Sequence, residues 1–214
     1  LQEYPPKAMT DYETYMEGHG IFRASASSEY SFNPSWRAFD NSYNALSWLS
    51  GEDTYNADGT ATGASAVDTF ESIAGSWLGL ELPIKIKLEC VIIQNRDSAS
   101  IRNPIDGIIW GTNNGTTWTR IKDFSGLNTA SNFINTIQVN ATSFYDEYRL
   151  QITKIKPWSS NPGPILSIGE WRLFGTPAPS SLEDGHLTLG KTLTLPRVSG
   201  HPAGAETPRA ESLV

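Results

Sequence analysis

This chain of 214 residues has one cysteine, Cys90, three histidines and only 18% charged residues. A single cysteine excludes an intramolecular disulfide framework. Together with three scattered histidines it also lacks the spacing of a zinc site. His19 stands near the start and His186 and His201 near the end, so no Ser-His-Asp constellation can be argued for the middle of the chain. No stretch approaches the 18 consecutive apolar residues of a membrane-spanning helix. The opening LQEYPPKAMTDYE has neither the basic flank nor the apolar centre of a signal peptide, and no leader or anchor is expected within this span. Sixteen Lys and Arg stand against 23 Asp and Glu, for a net charge of −7, and the basic residues form no block. Nucleic acid and anionic membrane surfaces are therefore not expected partners, because phosphate binding needs clustered cations that release counterions.

What is abundant is Gly, Ser, Thr and Asn, with 11% aromatic residues that include seven Trp. Helical heptads are missing. Period-two alternation or β-branched runs appear at WLGLEL, IKIKLECVIIQ, GIIWGT, FINTIQVN, YRLQITKI and EWRLFG, each bounded by turn residues. Asn114-Gly115 in NNGTTW is the strongest hairpin signal. Cys90 lies in one of the apolar runs, where it reads as a small buried hydrophobe. Short, evenly spaced strands with Gly/Asn/Pro-rich connections predict an all-β sandwich.

The length suits one domain and an appendage, and a core region of about 150 residues would bury roughly 70% of its unfolded surface. Residues 1–21, with their PP and GHG breakers, read as an irregular lead-in lying along the surface. Residues 22–175 read as the sandwich. Residues 176–214 begin with a TPAPSS linker and carry one alternating segment, HLTLGKTLTL, from His186 to Leu195. An isolated strand leaves its backbone unpaired, so this tail is expected to pair with an edge, with a second copy or with a larger assembly. Long polar connections at 41–75, 96–106 and 156–165 are the expected functional loops.

Five segments fall in a fixed order: RASASSEY (Arg23 to Tyr30), WRAFDNSYNALSW (Trp36 to Trp48), WLGLEL (Trp77 to Leu82), IDGIIWGTNNGTTWTRI (Ile105 to Ile121) and SIGEWRLFG (Ser167 to Gly175). The set resembles the discoidin-type, or coagulation-factor type C, domain, which includes a large family of carbohydrate-binding modules. The resemblance implies a jelly-roll sandwich of about eight main strands, with its binding loops gathered at one end. The lone cysteine departs from the disulfide that joins the domain's ends in many extracellular members.

The resemblance also implies a structural Ca²⁺, held by the carbonyl of Ala38 or Arg37, the side chains of Asp40 and Ser47, and Glu170. The residue types suit a hard cation, which takes about six to eight oxygens from carboxylates, hydroxyls and carbonyls. The plainer alternatives are that Asp40 caps a turn and that Glu170 faces solvent. For a sugar ligand the loops offer Trp36, Tyr55 and Trp158 as stacking faces, and Arg96, Arg102, Asn103 and Asn161 as hydrogen-bonding partners. Two guanidiniums within QNRDSASIRNP could meet vicinal hydroxyls, a carboxylate or a sulfate. The competing assignments are loop packing for the aromatic rings and a local Arg96–Asp97 pair. Trp48, Trp77, Trp110, Trp118 and Trp171 read as packing residues.

A glycosidase needs two carboxylates flanking a cleft; Asp40 and Glu170 could be neighbours, but a shared Ca²⁺ explains them better. The sequence therefore predicts a non-catalytic glycan-binding module on an extracellular or virion surface, joined to an oligomer through residues 176–214. The rivals are a capsid or fibre decoration domain that binds proteins, and an accessory domain of a glycoside-processing enzyme.

Overall fold

A computed structural model describes residues 1–42, 47–63, 70–97, 102–157 and 164–179. The chain divides into two compact units, Leu1–Pro179 and Ser180–Val214, and the expected strand at 186–195 falls outside the described residues. Eleven strands are described in the first unit: β1 (Gln2–Tyr4), β2 (Glu13–Met16), β3 (Gly20–Ala26), β4 (Trp48–Leu49), β5 (Ser76–Gln94), β6 (Pro104–Thr112), β7 (Thr119–Phe124), β8 (Ile134–Gln138), β9 (Tyr145–Ile155), β10 (Ser167–Ile168) and β11 (Glu170–Pro177). All described pairings between these strands are antiparallel.

β5 organises the domain. The sequence shows WLGLEL and IKIKLECVIIQ as separate strands, but they form one strand of 19 residues. Its first part, Ser76 to Glu81, pairs with β3 and β9. Its second part, Ile86 to Gln94, pairs with β11 and β8. Between them stands Pro83, whose missing N–H is tolerated where the strand leaves one ladder for the next. One layer thus runs β2-β3-β5-β9-β6-β7 and the other β1-β11-β5-β8.

The core lies between these layers. Leu78 and Leu80 from the first half of β5 share one apolar cluster with Leu88, Val91 and Ile93 from the second, with Leu150 and Ile152 of β9, and with Trp171 of β11. The inward set changes phase between Leu88 and Val91. The β11 ladder skips Glu89 there, a bulge that turns the apolar side chains of both stretches to the same interior. Trp48 and Trp171 are fully buried in this core, as packing residues should be.

Alternation sends the neighbours of those core residues to the other face. Trp77, Ile108 and Trp110 form a second cluster there, and the Arg149 guanidinium lies 3.8 Å from the Trp77 ring centre and 4.0 Å from that of Trp118. Such a desolvated cation between two indoles contributes on the order of 1–2 kcal/mol per face.

Two expected boundaries are corrected. Residues 1–21 are not an irregular lead-in: β1 pairs with β11, β2 pairs with β3, and Tyr4, Met9 and Met16 are buried in the core. Arg172 clamps the first strand through Glu3, at 2.5 and 2.7 Å. The sandwich also runs past Gly175, because β11 continues to Pro177 and Ala178 N–H donates to the Lys85 carbonyl.

Candidate functional site

The C-terminal end of β5 and the starts of β8 and β11 lie together at one end of the sandwich, since Gln94 pairs with both Glu170 and Ile134. Two constellations lie there.

The first joins the turn after Trp36 to the last strand. A 3-10 turn over Ser35–Phe39 ends at Asp40, whose Oδ1 accepts from Ser42 N–H at 2.8 Å. The same N–H donates to Glu170 Oε1 at 2.7 Å, so one amide holds both carboxylates. Asp40 therefore does cap its turn, and it also stands against Glu170. Glu170 is 2% exposed, and its Oε2 is buried without a hydrogen-bond partner. Burial raises the pKa of both groups, and the neighbouring carboxylate raises that of Glu170 further. Two carboxylates in contact and out of water lack a positive charge between them. Arg37 answers only in part, with Nη1 3.6 Å from Asp40 Oδ2.

Ser47 is fully buried and its Oγ has no partner. Continuing the β4–β10 register by one step sets Ser47 opposite Gly169, next to Glu170. Ala38 is buried in the 3-10 turn. Among the described residues no group of three or more His, Cys, Asp and Glu gathers, so the donor set is two carboxylates with hydroxyl and carbonyl oxygens. That is oxygen chemistry suited to a hard cation rather than to zinc. The orphaned Glu170 and Ser47 oxygens fit such an ion.

The second constellation is the connection from β5 to β6. Arg96 and Arg102 bracket it, and both are half-buried. Burial, and then the charge of Arg102, push the Arg96 guanidinium below its ordinary value. Two cations thus stand within electrostatic reach of each other in a chain of net charge −7.

Amides fix the base of this connection. Asn95 Nδ2 donates to the carbonyls of Asn128 and Ala130 at 2.7 and 2.8 Å. Asn103 Nδ2 donates to Thr129 O, and its Oδ1 accepts from Ser167 Oγ. Asn132 N–H donates to Arg96 O, and Asn95 N–H to Phe133 O. The neighbouring loop is thereby sewn to the arginine loop. It carries Phe133, 42% exposed, which the sequence conceals inside the strand-like run FINTIQVN.

Two expected ligand contacts are corrected. Tyr55 is 2% exposed, and its hydroxyl donates to Ile152 O at 2.9 Å, so the ring has no face to offer. Asn103 is fully buried and spends its amide on the scaffold. Trp36 is half-buried against the core, with the Arg37 guanidinium 4.7 Å over its ring, and keeps part of its surface exposed. Trp158 and Asn161 lie outside the described residues.

Glu170 opens on a hollow of about 330 Å³ that Asn41, Gln94 and Arg172 also line. A larger hollow of about 540 Å³ lies beside Asp106, Arg120 and Asp123. There Arg120 is already held by Asp123 at 2.7 Å and by Glu71 at 3.2 Å, which leaves it little to offer a ligand.

No protein-family model matches the chain, and no curated protein matches it. Solved structures do. The family 32 carbohydrate-binding module of NanJ from C. perfringens, in complex with galactose, is 19% identical over 71% of this chain and 92% of that one, with a TM-score of 0.51. A family 32 module from a family 31 glycoside hydrolase of Clostridium perfringens is 15% identical over 77% of this chain and 96% of that one, with a TM-score of 0.56. A family 89 glycoside hydrolase from the same organism matches over 72% of this chain but 14% of its own, at 15% identity and a TM-score of 0.50. By these likenesses the chain has the discoidin-like β-sandwich fold seen in family 32 carbohydrate-binding modules.

Proposed function

We propose that this chain is a non-catalytic carbohydrate-binding module whose glycan site is centred on Arg96 and Arg102, with Phe133 beside them. The observation that carries this reading is the pair of half-buried guanidiniums held at the loop end on an asparagine framework. Guanidiniums donate in a planar fork that suits vicinal hydroxyls or a carboxylate. An exposed ring nearby supplies the apolar face on which a sugar stacks. The galactose bound to one structure of the same fold and the glycoside hydrolases that contain others support a glycan over a protein partner, and an accessory place beside a catalytic domain.

Asp40, Ser47, Glu170 and a carbonyl of the Arg37–Ala38 turn would hold a calcium ion. When bound, it supplies the positive charge that the buried carboxylates lack. An extracellular setting follows from this function. The virion surface and an attachment role for residues 176–214 rest on the sequence alone.

The test is a glycan array of mono- to hexasaccharides, neutral and acidic, probed with a multivalent form of the chain at millimolar calcium. Galactose- and N-acetylgalactosamine-terminated members belong on it. Arg102→Ala should abolish the signal while the melting temperature stays within a degree or two. An array that stays silent for the unaltered chain would return the module to the protein-binding alternative.

A further inference from the structure

Phe32 is 88% exposed, more than any other large apolar side chain described. It does not sit on a loose tip. Tyr30 and Asn33 form a bridge around it, and the N–H and Nδ2 of Asn33 both donate to Tyr30 O at 3.2 Å. The adjoining Glu29 carboxylate accepts from Ser35 N–H at 2.7 Å and from the Tyr12 hydroxyl at 2.5 Å. The backbone that carries the ring is thus held before a ligand arrives, which lowers the ordering cost of a contact there.

Backbone pairing connects this turn to the arginine loop. Ser167 N–H donates to Arg102 O at 2.9 Å, β10 pairs with β4, and Tyr30 N–H donates to Leu49 O at 3.0 Å. Each step is one strand spacing of about 4.8 Å, so the turn lies roughly 14 Å from the Arg102 backbone along one ribbon. On the far side of the same ribbon Asn132 N–H reaches Arg96 O, next to Phe133. Two exposed aromatic residues are therefore attached on either side of the backbone that carries Arg96 and Arg102, over a span wider than one sugar ring.

The immediate surroundings of Phe32 decide what it meets. Ser28, Glu29, Tyr30, Ser31 and Asn33 adjoin it in sequence, with no basic residue among them, and Tyr12, 43% exposed, joins them through Glu29. An exposed ring beside tyrosine and serine hydroxyls, an amide and a carboxylate suits a sugar, whereas an anionic lipid surface would require cations.

We propose that Phe32 is a second aromatic platform of the glycan site, stacking a ring remote from the one at Arg96 and Arg102, so that the module selects oligosaccharides over monosaccharides. This rests on the glycan reading of the arginine loop.

The experiment compares the hexasaccharide-to-monosaccharide signal ratio on the same array for the unaltered chain, Phe32→Ala, Phe32→Leu and Phe32→Trp. Removing the ring in the first two variants should lower the ratio about tenfold, as expected for one lost stacking contact, and Phe32→Trp should restore it. Circular dichroism checks that each variant folds. A ratio that is near one for the unaltered chain, or that does not change in Phe32→Ala, overturns the second platform and leaves the site at Arg102 standing. So does a Phe32→Leu variant that keeps the ratio, because a generic apolar contact needs no ring. Loss of all glycan binding in the unaltered chain would instead remove the reading on which the proposal rests.

Discussion

Asp40 and Glu170 share one hydrogen-bond donor, the backbone N–H of Ser42, at 2.8 and 2.7 Å. Two carboxylates from opposite ends of the domain are thus brought together with too few donors between them. If calcium fills that need, it also ties the loop after the 3-10 turn to the last strand.

Calcium at a hundredfold excess over its dissociation constant should then stabilise the domain by about 2.7 kcal/mol, since it binds only the folded state. Thermal melts with chelator and with millimolar calcium measure this. Glu170→Gln and Asp40→Asn should each remove most of the calcium response. A melting temperature indifferent to calcium in the unaltered chain would rule the ion out.

The same pair predicts a pH dependence in the chelated protein. Burial, joined by the Asp40 charge and hydrogen bond, pushes Glu170 from 4.5 up to about 8. Across that window the folded state binds more protons than the unfolded state, so stability falls as pH rises. The chelated protein should melt higher at pH 5.5 than at pH 8.5, and Glu170→Gln should flatten that difference. A melting temperature that climbs over this range in the unaltered protein, and does not in Glu170→Gln, would contradict the sign.

Asn95 supports the arginine loop without being placed to touch a ligand. Asn95→Ala removes two hydrogen bonds, while the Asn128 and Ala130 carbonyls each keep one donor, Asn135 Nδ2 and Phe133 N–H, so the cost is about 0.5–1.5 kcal/mol for each bond lost. Urea denaturation should show that loss, and glycan affinity should fall with it. Undiminished affinity in a destabilised variant would mean that the arginines hold their places without this framework.

Tyr55→Phe separates packing from recognition. Its hydroxyl serves Ile152 O inside the protein, so removing it should cost about 1 kcal/mol of stability and leave the glycan signal intact. A selective loss of binding at unchanged stability would restore Tyr55 to the ligand site.

The strand runs were readable because alternation and β-branching survive in a single sequence, and each of the six falls in a strand, two of them in the single strand β5. What composition hides is context. Pro83 looks like a strand boundary, yet the chain passes through it because the strand changes partners there. The PP and GHG breakers obscure β1 and β2, whose pairing draws on buried Tyr4 and Met16 more than on local preference. Tyr55 and Asn103 look like loop residues in polar stretches, and nothing local says that the loops fold inward over them. Phe133 and Phe32 have the opposite problem, since an aromatic residue in a strand-like or serine-rich run gives no sign of its exposure. The partnership of Asp40 with Glu170 has no local spacing to betray it, and only the resemblance to a family brought the two together.

β5 belongs to both layers, and this bears on how the domain comes apart. A sandwich whose sheets had separate strands could open like a book, one cover at a time. Here the amides of Leu78 and Leu80 and those of Val91 and Ile93 sit on one continuous backbone, braced at its bend by the Tyr148 hydroxyl on Ile86 O at 2.6 Å. Neither cover can lift without pulling on the other. Slow hydrogen exchange along the whole strand should therefore follow a single opening free energy, that of global unfolding.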